Sequence, residues 1–122
     1  MDGRTPAGGA DYAALWHNVD DAHHLMRTLG NEIRLTILCL LGRREHSVSD
    51  IESVTGARQP TISQQLARLR ADGVVETRRV GRTVYYSLAC PRTRQILDLL
   101  DRQYDGRAES SVASLSGTGG TA

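Results

Sequence analysis

A chain of 122 residues with 39% hydrophobic content has room for one domain rather than two. A formal charge of +1 creates no whole-molecule field that would mark a nucleic-acid or membrane binder, and two cysteines, Cys39 and Cys90, are too few for a disulfide framework. No apolar run approaches the ~18 residues of a membrane span and no charged segment leads into an apolar one, so the expectation is a cytoplasmic protein without membrane contact or signal peptide.

The two ends, 1–10 and 106–122, are rich in Gly, Ser, Ala and Thr. Neither buries enough apolar surface to offset ordering entropy, so both are expected to be disordered and the folded domain is placed at 11–105. Within it, 11–29 carries Leu15, Val19, Ala22, Met26 and Leu29 at helical spacing and reads as one amphipathic helix broken by Gly30. Asn31 is a plausible N-cap for 32–41 (EIRLTILCLL), which is apolar nearly all round and reads as a central buried helix ended by Gly42.

Residues 47–54 form a short helix, with Val48, Ile51 and Val54 inward, Ser47 as cap and Gly56 as stop. The stretch RQPTISQQLARLRADG (58–73) follows after a tight turn and puts Ile62, Leu66 and Leu69 on one side. Two short helices around a glycine-bearing turn make a helix-turn-helix pattern. After Gly73 the period changes. VVETRRV and TVYYSL, joined by Gly81-Arg82, read as a β-hairpin. Pro91 then opens a last helix, 92–104, with Ile96, Leu97, Leu99, Leu100 and Tyr104 apolar. The fold class is therefore mainly α with a small β-hairpin: a winged helix-turn-helix.

Charge is local rather than global. Residues 58–82 hold six arginines against Asp72 and Glu76, and every basic side chain of the protein is arginine. Arginine's planar fork matches phosphate and guanine edges. Opposite its apolar side, the 58–73 helix presents Pro60, Thr61, Gln64, Ala67, Arg68 and Ala71, a face of small residues, amides and one arginine suited to a DNA major groove. Gln59, Thr61, Ser63, Gln64 and Gln65 can bond base edges or phosphates, and Arg58 and Arg68 can hold the flanking backbone. Arg78, Arg79 and Arg82 crowd the hairpin, with Arg82 at its tip. The bland alternative is a solvated basic helix.

The motifs LGNEIRLTIL (29–38) and QPTISQQLARLRADGVVETRRVGRTVYYSL (59–88), at this separation, resemble the ArsR/SmtB family of bacterial metalloregulatory and redox-sensing repressors. The resemblance spans about 15–105. It implies a homodimer built from the 11–29 and 92–104 helices, with two recognition helices about 34–36 Å apart on a palindromic double-stranded operator.

It also implies a sensor. One family metal site uses two cysteines ahead of the recognition helix, where this chain has Ser47 and Ser49; another uses positions of the last helix occupied here by Cys90, Arg92, Gln103 and Gly106. Both donor sets are lost, since serine is a poor ligand for soft metals, so no metal and no other cofactor is expected. His17, His23, His24 and His46 read as surface or interface residues. Cys39 in RLTILCLL is similar to the cysteine of the persulfide- and redox-sensing branch (BigR-, SqrR- and HlyU-like repressors), whose second cysteine falls here on Asp105. Cys90 lies fifteen residues earlier, roughly 22 Å along a helix, too far to take that place within one chain when a disulfide needs Cα atoms within about 7 Å. Cys90 precedes Pro91 and Arg92, so it can sit at a helix N-terminus that favours thiolate.

The resulting expectation is a non-enzymatic, dimeric, operator-binding repressor released by a reactive sulfur species or oxidant at Cys39, with Cys90 as a second candidate. A metal-responsive repressor with a non-standard site, and a winged-helix protein-interaction module without DNA binding, are the alternatives. An enzyme is disfavoured because no nucleophile, base and orienting partner can be assembled from these residues.

Overall fold

In a computed structural model, residues 10–105 are described; 1–9 and 106–122, which carry the expected disordered ends apart from Ala10, lie outside them. The described chain forms α1 (Ala13–His17), α2 (Val19–Leu29), α3 (Glu32–Arg43), β1 (His46–Ser47), α4 (Val48–Thr55), α5 (Gln59–Ala71), β2 (Val75–Val80), β3 (Thr83–Leu88) and α6 (Pro91–Gln103).

The single helix expected over 11–29 is two. His17 Nδ1 lies 2.8 Å from the Ala13 carbonyl and Asn18 Nδ2 donates to the Ala14 carbonyl at 2.8 Å. Side chains that bond carbonyls one turn back compete with the backbone ladder, and the helix breaks at Asn18 before restarting with Ala22 N–H on the Asn18 carbonyl.

α3 begins as its sequence demands, with the Asn31 side chain accepting from the Arg34 N–H at 3.0 Å. It does not stop at Gly42. The helix continues through Gly42 to Arg43, and a Cβ at Gly42 would meet Leu88 Cδ1 of β3 at 3.7 Å, an ordinary packing distance. Nor is α3 buried all round. Ile37, Leu38 and Leu41 are enclosed, whereas Ile33 and Cys39 are exposed. α3 is nonetheless the hub, touching α2, α4, α5, α6 and β3.

α4 starts on a capping box in which the Asp50 N–H donates to Ser47 Oγ and the Ser47 N–H donates to Asp50 Oδ2. α5 buries Ile62, Leu66 and Leu69 completely, each burial stabilising by about 1.5–3 kcal/mol. Its end is a Schellman motif: Gly73, at φ +74°, donates to the Arg70 carbonyl and Val74 to the Leu69 carbonyl. That turn drops Val74 and Val75 into the core and delivers the chain to the wing.

The wing is a three-stranded antiparallel sheet in the order β1-β3-β2. β2 and β3 pair from Val75↔Leu88 to Val80↔Thr83 around Gly81, whose φ of +63° suits a two-residue hairpin turn. The third strand, β1, pairs His46 with Tyr86 and Ser47 with Tyr85; two residues are too short to show a period of their own.

Many apolar side chains of the first two helices and the last are left uncovered. Tyr12, Leu15, Trp16, Val19 and Met26 of the α1–α2 region, and Leu99, Leu100 and Tyr104 around α6, are exposed, Trp16 at 78% and Tyr104 at 69%. Of the stripe expected on 11–29, Leu29 alone is buried in the core.

Candidate nucleic-acid interface

Because the Ile62, Leu66 and Leu69 edge of α5 is locked into the core, the opposite edge must face outward. Gln59, Pro60, Gln64, Ala67, Arg68 and Ala71 are exposed, with Thr61, Ser63 and Gln65 half-buried at the margins. Gln64 and Arg68 stand one turn apart, about 6 Å along the axis. The first turn of α5 carries no acid.

The N-terminus of α5 differs from those of α3 and α4 in a way sequence reasoning missed. α3 is capped by Asn31 and α4 by Ser47, whereas Arg58 at the start of α5 provides no side-chain cap. Pro60 has no N–H, so the first-turn donors left over are those of Gln59 and Thr61. Unsatisfied N–H groups at a helix N-terminus attract phosphate, and Arg58 stands beside them.

The three wing arginines separate into two kinds. Arg79 and Arg82 are exposed and pair with no carboxylate among the described residues. Arg78 is engaged within the protein: its guanidinium forks onto both oxygens of Glu45, with Nε 3.2 Å from Oε2, and lies 5.5 Å from the centre of the Tyr85 ring. The hydrogen bond and charge of Arg78 hold the Glu45 carboxyl below its ordinary value. Arg78 thus ties β2 to the segment before β1, across 33 residues of sequence, where no local signal could reveal it.

The two cysteines lie in different environments and both are free thiols. Cys39 opens onto a shallow groove between α3 and α6 lined by Gly42, Leu97, Asp98 and Asp101. Partial burial and then the nearby Asp101 carboxylate push its pKa up. Asp105, the position that the resemblance gives the second cysteine, is beyond the end of α6. Eleven residues, roughly 16 Å of helix, separate Asp101 from Cys90, so the two cysteines occupy distant parts of α6's surroundings.

Cys90 is the N-cap of α6, as its place before Pro91 suggests. The Thr93 hydroxyl, the Thr93 and Arg92 backbone N–H groups and the Arg92 charge together lower its pKa against a smaller effect of burial. Two further contacts fasten this end of α6: Arg92 pairs with Asp21 of α2 and Arg94 Nη1 donates to the Gly42 carbonyl at 3.1 Å. Among the described residues, no three His, Cys, Asp or Glu side chains converge as a metal site would require, and no helix is long and apolar enough to cross a membrane.

Comparison with known proteins agrees with this geometry. The pattern of the family described as bacterial regulatory protein, arsR family, matches residues 31–77. The transcriptional activator HlyU of Vibrio cholerae is 41% identical over 80 residues, spanning 66% of this chain and 74% of HlyU. The biofilm growth-associated repressor of Xylella fastidiosa is 38% identical over 81 residues, spanning 66% of this chain and 71% of the repressor. The structure of reduced HlyU superposes with a TM-score of 0.70 at 38% identity, over 75% of this chain and 96% of that one. A homodimeric winged helix-turn-helix DNA-binding domain from Mycobacterium bovis superposes at 0.66 and 32% identity, over 86% and 95%. Both relatives are named as regulators of transcription, an activator and a repressor. With a winged helix-turn-helix fold, an outward polar face on α5 and relatives matched over most of their length, the chain belongs to the ArsR family of bacterial regulatory proteins.

Proposed function

We propose that this protein is a cytoplasmic transcriptional repressor that binds a palindromic operator as a homodimer and lets go when a reactive sulfur species or an oxidant modifies a cysteine, Cys39 or Cys90. The observation that carries the DNA-binding part is the complete burial of Ile62, Leu66 and Leu69, which leaves the acid-free Gln64–Arg68 face of α5 outward beside an uncapped helix N-terminus. Gln64 and Gln65 read base edges, Thr61 and Ser63 bond bases or phosphates, and Gln59, Arg58 and Arg68 hold the backbone. Arg79 and Arg82 follow the backbone or minor groove from the wing, while Arg78, paired with Glu45, sets the wing's pose.

The dimer is supported by the exposed apolar side chains of α1, α2 and α6, Trp16, Met26, Leu99 and Leu100 among them, which a partner chain would cover. The thiol part is supported by the retained Cys39 and by the loss of both family metal-donor sets at Ser47, Ser49, Arg92 and Gln103. No bound cofactor is required.

The test is fluorescence anisotropy of the full-length protein on a duplex carrying its own promoter, over a range of salt, before and after treatment with persulfide or peroxide. Binding should be salt-dependent, at two chains per duplex, and treatment should abolish it reversibly in the parent but not in a Cys39→Ser, Cys90→Ser double variant. Release of that double variant by micromolar zinc, nickel or arsenite would replace the sulfur reading with a metal reading that draws on the histidines. Absence of any operator binding would leave a protein-interaction module.

A further inference from the structure

Of the two thiols, Cys90 has surroundings built for a charged sulfur. It is half-buried, so a small reagent can reach it, and it caps a thirteen-residue helix. Directly behind it, Thr93 is completely buried at 0% exposure, and its hydroxyl has no hydrogen-bond partner of regular geometry among the described residues. That hydroxyl belongs to the first turn of the helix that Cys90 caps, and it is the largest influence lowering the Cys90 pKa. A neutral thiol is a weak acceptor and leaves the hydroxyl poorly satisfied, whereas a thiolate accepts strongly from it and from the first N–H groups of the helix. A buried threonine hydroxyl without a partner is costly, so this arrangement favours an anionic sulfur. The charged side chains around the site are Arg92, which also holds Asp21, and Arg94, which borders the same shallow groove with Leu88, Ala89 and Pro91.

We propose that Cys90 is the thiol of this chain that exchanges with sulfur–sulfur electrophiles, namely low-molecular-weight disulfides and organic persulfides. The Cys90 thiolate attacks one sulfur of the reagent. A new S–S bond forms at Cys90, the reagent's S–S bond breaks, and the departing thiolate takes a proton from water. A disulfide leaves a mixed disulfide on Cys90; a persulfide transfers its terminal sulfur with its hydrogen and leaves Cys90 as a persulfide. Cys39, beside the Asp101 carboxylate, reacts more slowly because a negative neighbour opposes thiolate formation.

The regulatory consequence rests on the repressor function proposed above. Cys90 follows Ala89, whose N–H bonds to the Val74 carbonyl just past the end of α5, and precedes Arg92, which reaches α2. An adduct removes the negative charge of the sulfur and adds bulk between the C-terminal end of β3 and the start of α6, beside the Val74 turn that leaves α5.

The test is peptide-resolved mass spectrometry of the full-length protein under limiting 2-hydroxyethyl disulfide in one arm and glutathione persulfide in the other, with iodoacetamide alkylation rates followed against pH. Cys90 should be modified on the order of tenfold faster than Cys39 at neutral pH in both arms, as a mixed disulfide in the first and with one added sulfur in the second. Its alkylation midpoint should lie below the ordinary thiol value of 9.0. Arg92→Gln and Thr93→Val should each raise that midpoint, a readout that a purely structural role would not move. Modification of Cys39 first or equally, or a Cys90 midpoint at or above 9.0, overturns the proposal. Failure of the repressor reading shows separately, as an untreated parent that does not bind its promoter.

Discussion

Gln64 and Arg68 lie one turn apart on the same outward edge of α5, yet they should fail in different ways. Gln64 is exposed, and its amide matches the N6/N7 edge of adenine, so in the proposed complex Gln64→Ala removes a bidentate base contact. Each such contact is worth about 1–3 kcal/mol; on a twofold operator the substitution acts in both half-sites, about 2–6 kcal/mol in total, a weakening of roughly thirtyfold or more. A scrambled duplex makes no such contact and should lose little. Arg68 is exposed and makes no ion pair among the described residues, so its charge is free for a phosphate. Neutralising one phosphate contributes about −0.9 to the slope of log affinity against log salt, so Arg68→Ala in both protomers should flatten the slope by about 1.8 and weaken cognate and scrambled duplexes alike. Anisotropy titrations of both variants on both duplexes, at four or so salt concentrations, separate the two behaviours. A Gln64→Ala variant that loses the same factor on both duplexes, or an Arg68→Ala variant with the parent slope, would refute the assignment of this face to the major groove.

Arg82→Ala should weaken operator binding at low salt without changing the melting temperature, because the side chain stands exposed at the hairpin turn; Arg78→Ala should instead loosen the wing, seen as faster hydrogen exchange in β2 and β3, because it breaks the fork to Glu45. Leu100→Asp should dissociate the dimer and abolish operator binding together, since an unpaired carboxylate in an apolar interface is costly; sedimentation showing an intact dimer would move the interface away from α6. The Asp50 carboxyl is held below its ordinary 3.8, first by the Ser47 backbone N–H, so its contribution to stability is present above that value and is lost as pH falls through the lower folded value. Thermal melts taken from about pH 5 downward should therefore fall less steeply for Asp50→Asn than for the parent, and parallel curves would contradict the capping-box account.

Local chemistry made much of this protein legible. Apolar residues three and four apart placed Ile62, Leu66 and Leu69 on the buried side of α5 and so named its outward face; Asn31, Ser47 and Gly56 marked helix ends, because caps act within four residues. Gly81 between β-branched runs marked the hairpin, and Pro91 put Cys90 at a helix N-terminus. Where the same rules failed, contacts from remote sequence had overridden them. α3 runs on through Gly42, whose carbonyl accepts from Arg94 of α6, and the α3 helix that reads as buried all round exposes Ile33 and Cys39 because one chain encloses only part of its surface. The pairing of Arg78 with Glu45, the fastening of Arg92 to Asp21 and the placing of Asp101 beside Cys39 join elements far apart along the chain. Periodicity and capping are set by neighbours within a turn or two, so sequence by itself determined most of the elements, the outward face of α5 and the family. Charge state and reach depend on which distant groups share a few ångströms, so only the tertiary structure decided which wing arginine is already occupied and which of two cysteines faces donors rather than a carboxylate.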